Sequence, residues 1–122
     1  MNIKEVESYN KKTKTLTLIT KIKNKKEKTV ETKVYEYPFF VEGDYTQEAL
    51  GLGNELEENE YQVSLDLFER LTKFFVGLYG NQFTEEELAK GINQNEIIDR
   101  YVEMLFGVLR ADPDSAGDIN VE

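Results

Sequence analysis

Residues 74–88 read FFVGLYGNQFTEEEL, which specifies a sharp corner between two helices with no residue to spare. Upstream, Leu67, Phe68, Leu71, Phe74, Phe75 and Leu78 recur at helical spacing. Gly80 and Asn81 are the residue types that take the left-handed backbone ending a helix. Thr84 then caps a new helix, and Glu87, three residues on, is its return partner in a capping box. Phe83 before the cap and Leu88 after it complete the hydrophobic staple. A chain with this corner folds around helices whatever else it contains.

The other elements are placed relative to that corner. Residues 13–37 read as a β-hairpin. Leu16, Leu18, Thr20 and Ile22 alternate along the first strand, and Val30, Thr32, Val34, Tyr35 and Tyr37 give the second its β-branched and aromatic character. Asn24-Lys25-Lys26-Glu27 is the turn between them. A lone hairpin is marginal in water, so it must pack on the helices, pair with the chain near Ile3 and Val6, or pair with another chain. Pro38 closes the second strand, and Phe39-Phe40-Val41 follows as an apolar patch. A short helix is expected over residues 46–56 with Ala49, Leu50 and Leu52 on one face, weakened by Gly51 and Gly53. Residues 55–60 read as an exposed linker, and a strong helix is expected over residues 62–79. The helix after Thr84 runs to Lys90 with Gly91 as its stop. Asn93 and Glu96 then form a capping box for a last helix that carries Ile97, Ile98, Tyr101, Val102, Leu105, Phe106 and Leu109 and ends near Arg110. The expected fold is α+β: an N-terminal β-hairpin packed on a three- to four-helix bundle. It forms a single domain over residues 1–122, with residues 1–12 as an extension, a helical body over 46–111 and a mobile acidic tail over 112–122.

Composition narrows the chemistry. The 122 residues hold no histidine and no cysteine, which removes the usual general base, the thiol nucleophile and the two commonest transition-metal ligands. Ser8, Ser64 and Ser115 lie in no nucleophile elbow, and no phosphate loop or dinucleotide fingerprint occurs. No catalytic residue, metal site or cofactor is expected. Asp112-Pro113-Asp114-Ser115-Ala116-Gly117-Asp118 resembles the opening of a calcium loop, but Ala116 stands at its fifth position and the twelfth lies past Glu122. No apolar run reaches the roughly 20 residues of a membrane span. The formal net charge of −9 is uneven: residues 1–37 hold ten Lys against five Glu, and the rest is strongly acidic. The lysine-rich hairpin with Tyr35 and Tyr37 leaves one alternative open, a nucleic-acid-binding or regulatory module, although the acidic body opposes phosphate binding.

The run FFVGLYGNQFTEEELAKGI over residues 74–92 resembles the hallmark segment of the tail assembly chaperones of long-tailed phages and prophages of Gram-positive bacteria. The matching motif is Leu78, Tyr79, Gly80, Asn81, Gln82, Phe83 and Thr84, followed by Gly91-Ile92 and a final helix. Tyr37-Pro38-Phe39-Phe40-Val41 resembles the family's Pro-Phe-aliphatic step after an N-terminal hairpin. The resemblance spans about residues 28–111. Where the family carries small and basic residues after that step, this chain has Glu42-Gly43-Asp44-Tyr45. The resemblance implies a binding protein of the bacterial host cytoplasm. Its partner would be the tape measure protein, kept soluble and delivered to the polymerising tail tube, with the tail tube protein and self-association as further contacts. A structural tail component is the neighbouring alternative. Phe39, Phe40 and Val41 are the candidate partner contacts, against the competing reading that they seal the hairpin onto the helices.

Overall fold

The computed structural model describes residues 1–109. The expected acidic tail over residues 112–122, the helix end at Arg110 and the partial calcium-loop pattern lie outside the described residues. An antiparallel hairpin, β1 (Leu16–Asn24) and β2 (Thr29–Tyr35), is followed by four helices. These are α1 (Asp44–Glu58), α2 (Leu65–Leu78), α3 (Glu85–Gly91) and α4 (Ile97–Leu109). The fold is α+β. Helix α3 packs on β1, α1 on α4, and α2 on α3. The core joins Leu16, Leu18 and Tyr35 of the hairpin to Leu71, Phe75 and Leu78 of α2 and to Tyr101 and Leu105 of α4.

The hairpin is held at its tip by an Asx turn, in which the Glu27 N–H donates to Asn24 Oδ1 at 2.9 Å. Its alternation is broken by register shifts between Ile19 and Lys21 and between Ile22 and Asn24. Each inserts an extra residue in β1, which bends the strand and reassigns its faces. Leu16 and Leu18 are therefore buried, whereas Thr20 and Ile22, expected to continue their face, are exposed. The first ten residues bond to both strands. Asn2 bridges to Thr29 and Tyr9 to Leu16, and the Thr17 N–H donates to the Ser8 carbonyl at 2.8 Å.

Helix α1 differs most from expectation. It spans Asp44–Glu58, takes in both glycines and absorbs most of the stretch expected to be a linker. Its buried residues are Ala49, Leu52 and Leu56, while Leu50 is 51% exposed. Two glycines lower the local propensity, but the apolar stripe supplies what propensity lacks. Gly53 faces α4, where a Cβ would make an ordinary contact of 3.4 Å with Leu109 Cδ1. Arg70 clamps the α1–α2 junction, pairing with Glu55 and, through Nε at 2.9 Å, with Asp66. The Arg70 hydrogen bond holds the Glu55 carboxyl below its ordinary pKa. Helix α2 starts three residues later than expected, because Ser64 caps it by accepting from the Leu67 N–H at 3.2 Å.

The α1 C-terminus closes through bonds from Tyr61 N–H to the Leu56 carbonyl and from Glu60 N–H to the Glu57 carbonyl. That closure needs a left-handed residue, and Glu60 supplies it at φ +55°. An L-residue there costs about 1–2 kcal/mol, and glycine avoids this at the expense of about 0.5–1 kcal/mol of unfolded-chain entropy. Glu60→Gly is therefore expected to stabilise the protein by about 0.5–1 kcal/mol, read as a raised midpoint in urea unfolding. A lowered midpoint would show that Glu60 is not under backbone strain.

Candidate functional site

Each residue of the corner motif has a structural task. Leu78 is buried at the end of α2. Gly80 (φ +72°) and Asn81 (φ +59°) are both left-handed, as their types require. The Gly80 N–H bonds the Gly77 carbonyl and the Asn81 N–H bonds the Val76 carbonyl, each at 2.9 Å, satisfying carbonyls left open at the helix end. Thr84 Oγ1 accepts from the Glu87 N–H at 3.1 Å, and Glu87 Oε1 accepts from the Thr84 N–H at 2.8 Å. Thr84→Ala is expected to cost about 1 kcal/mol through loss of this cap. Chemical denaturation checks it, and an unchanged midpoint would deny the cap any stabilising role.

The remaining motif residues clamp the open end of the hairpin, which lies at the Leu16–Tyr35 pair. The Tyr79 hydroxyl donates to the Lys14 carbonyl at 2.7 Å, just before β1. Burial, then the neighbouring Tyr9 and Tyr37, push the Tyr79 pKa up, so the proton it donates stays in place. Gln82 Nε2 donates to the Tyr79 carbonyl at 2.8 Å and to the Glu36 carbonyl at 2.9 Å, just after β2. Phe83 meets Tyr35 edge-on at 4.9 Å between ring centres and leans on Tyr79 at 5.7 Å. The corner thus fixes both chain ends of the hairpin to the helical body. Sequence reasoning identified the turn, but not the reach of Tyr79 and Gln82, because their partners lie 65 and 46 residues away.

Gly91 also differs from expectation. It is the last residue of α3 and is not left-handed. A Cβ at Gly91 would stand 2.7 Å from Leu18 Cβ, so this glycine is the contact that lets α3 approach β1. The expected Asn93–Glu96 box is replaced by an Asx contact from the Asn95 N–H to Asn93 Oδ1 at 3.3 Å.

The aromatic stripe is internal. Phe74, Phe75 and Tyr79 are buried, and Phe68 stacks on Tyr101 at 5.2 Å. Thr72 Oγ1 bonds the Tyr101 hydroxyl at 2.7 Å, and burial pushes that hydroxyl's pKa up to about 12. By contrast, Phe39 is 106% exposed and Phe40 69%, while Val41 is half-buried against the core. The exposure of both phenylalanines does not fit the reading that they seal the hairpin, whereas Val41 packs against the core. An open groove of about 850 Å³ lies between α1 and α2, lined among others by Tyr45, Leu52, Phe74 and Gly77 and by the charged Glu48, Glu55, Arg70 and Lys73. The groove is not legible in the sequence because it depends on how α1 and α2 sit against each other, which no local pattern contains. The Tyr45, Ala49, Leu52, Leu56 spacing signals only the length of α1.

Among the described residues, no group of three or more Asp or Glu is placed to hold a metal ion, and no helix is long and apolar enough to cross a membrane. The candidate surface features are an exposed aromatic pair and an open groove on the helical body. Residues 7–122 match the family model described as phage tail chaperone protein, and this chain belongs to that family. No curated protein and no solved structure gives a significant match.

Proposed function

We propose that this protein is a tail assembly chaperone that binds the tape measure protein of its phage, keeps it soluble and promotes assembly of the tail tube around it. It acts by binding in the host cytoplasm, with no catalytic step and no cofactor. The tail tube protein is the further partner to which the complex is delivered. The observation that supports this reading is the exposure of Phe39 and Phe40 in a chain of the phage tail chaperone family. Single exposed apolar residues are ordinary, but two adjacent phenyl rings held in solvent need a reason. A tape measure protein is a long amphipathic helix whose apolar face self-associates unless masked, and exposed aromatics are what a mask requires.

Burying one phenyl ring contributes about 1.5–3 kcal/mol. Two rings only begin to offset the roughly 4–15 kcal/mol of association entropy, so further apolar contact must come from the surface around them. Co-expression tests the reading. With this protein present, the tape measure protein is expected in the soluble fraction and in the same affinity-purified complex. A tape measure protein left insoluble while both chains are well expressed would refute the function.

A further inference from the structure

Resting on that reading, we propose that the groove between α1 and α2, with Phe39 and Phe40 beside it, takes a basic amphipathic helix of the partner. Three independent observations lead there. The first is shape. The groove lining includes Tyr45 and Val76, with the buried Leu52 and Phe74 behind them, and two glycines line it, Gly51 and Gly77. A Cβ placed on Gly51 meets nothing within 4 Å. That glycine serves no contact inside the fold and leaves the α1 backbone open to a second chain.

The second is continuity with the exposed aromatics. Only four residues separate Phe40 from groove-lining Tyr45. Pro38 comes within 4.0 Å of a Cβ placed on Gly80, the neighbour of groove-lining Asn81. The segment that carries the phenyl rings therefore starts beside the helix corner that borders the groove and leads into the groove lining at Tyr45.

The third is charge. From Pro38 to Glu69 the chain carries nine Asp and Glu and no Lys or Arg. On the groove walls the Arg70 guanidinium is already engaged by Glu55 and Asp66. The other charged residues lining the groove are Glu48, Glu85 and Lys73, which leaves the lining net negative. A partly apolar, net acidic lining favours a helix with an apolar stripe flanked by Lys and Arg over an acidic one.

The probes are overlapping 30-residue peptides tiling the tape measure protein encoded with this chain, with binding read by fluorescence anisotropy at low and high salt. Binding peptides are expected to carry net positive charge and an apolar helical repeat. Gly51→Leu, which fills the groove from an open position, is expected to weaken them at least tenfold while the melting temperature is kept or raised. The Glu48→Lys, Glu85→Lys pair is expected to weaken them at least tenfold and to remove most of the salt dependence. Unchanged binding in these variants would overturn the groove assignment while leaving the chaperone reading standing. Binders that are neutral or acidic would overturn the partner chemistry. Failure of the wild-type protein to bind any peptide, although it keeps the intact tape measure protein soluble, would overturn a continuous helix as the occupant. Failure to solubilise the tape measure protein at all would sink both readings together.

Discussion

Gly91→Ala is expected to destabilise the protein by about 1–3 kcal/mol, although the same exchange within a helix usually stabilises it by up to about 1 kcal/mol. The sign is inverted by one neighbour. The new Cβ would stand 2.7 Å from Leu18 Cβ, with Leu18 Cδ2 and Cγ at 3.2 and 3.3 Å. The nearest atom is next to the backbone of a buried strand residue, so a rotamer change cannot relieve the contact. Either α3 moves away from β1 or the hairpin shifts, and both open the core around Leu18 and Leu88. Gly51→Ala is the internal control. It sits in α1 with no atom within 4 Å and is expected to stabilise by about 0.5–1 kcal/mol. Urea unfolding of the two variants should move the midpoint in opposite directions. If both rise, α3 and β1 are not in close contact and the hairpin is docked differently.

That pair of glycines also shows where sequence reasoning works. The corner was legible because its determinants are local. A left-handed pair, a cap and its return carboxylate lie within eight residues, and each acts on a neighbour in the chain. Helix α1 is longer than its two glycines suggest because Ala49, Leu52 and Leu56 are buried along it, and local propensity does not contain that burial. The hairpin was found, but its faces were assigned by an alternation that two bulges interrupt. Gly91 was expected at a helix end and is there, for a different reason: it provides proximity rather than backbone freedom.

The corner motif has a related lesson for the site. Leu78 to Thr84 looks like a recognition signature because its residues are so specific. Its side chains instead face inward or along the chain: Tyr79 to Lys14, Gln82 to Glu36, Phe83 to Tyr35, Thr84 to Glu87. These contacts account for the specificity of the motif as a clamp between hairpin and helices. The proposed partner surface borders it, with only Asn81 of the motif in the groove lining. Phe39 and Phe40 were named from sequence as an apolar run. Only their exposure separates them from Val41, the third member of that run.

Phe40→Asp is therefore expected to abolish co-purification with the tape measure protein while shifting the melting temperature by no more than a degree or two. The wild-type ring is mostly in solvent, so folding loses little burial when it is removed. Binding loses the ring's apolar contact, about 1.5–3 kcal/mol, and must also desolvate a carboxylate against an apolar helix face. The Phe39→Asp, Phe40→Asp pair is expected to lose the tape measure protein in the same way. Val41→Asp should behave in the opposite way. Its side chain packs against the core, so a carboxylate there is expected to cost several kcal/mol and to lower the melting temperature whether or not the partner is present. A pull-down combined with thermal melts on the three variants separates the two roles. If Phe40→Asp unfolds the protein, the ring is part of the core after all. If Phe40→Asp and the Phe39→Asp, Phe40→Asp pair both fold normally and still retain the tape measure protein, the aromatic pair is not the contact and the partner must be held elsewhere on the helical body.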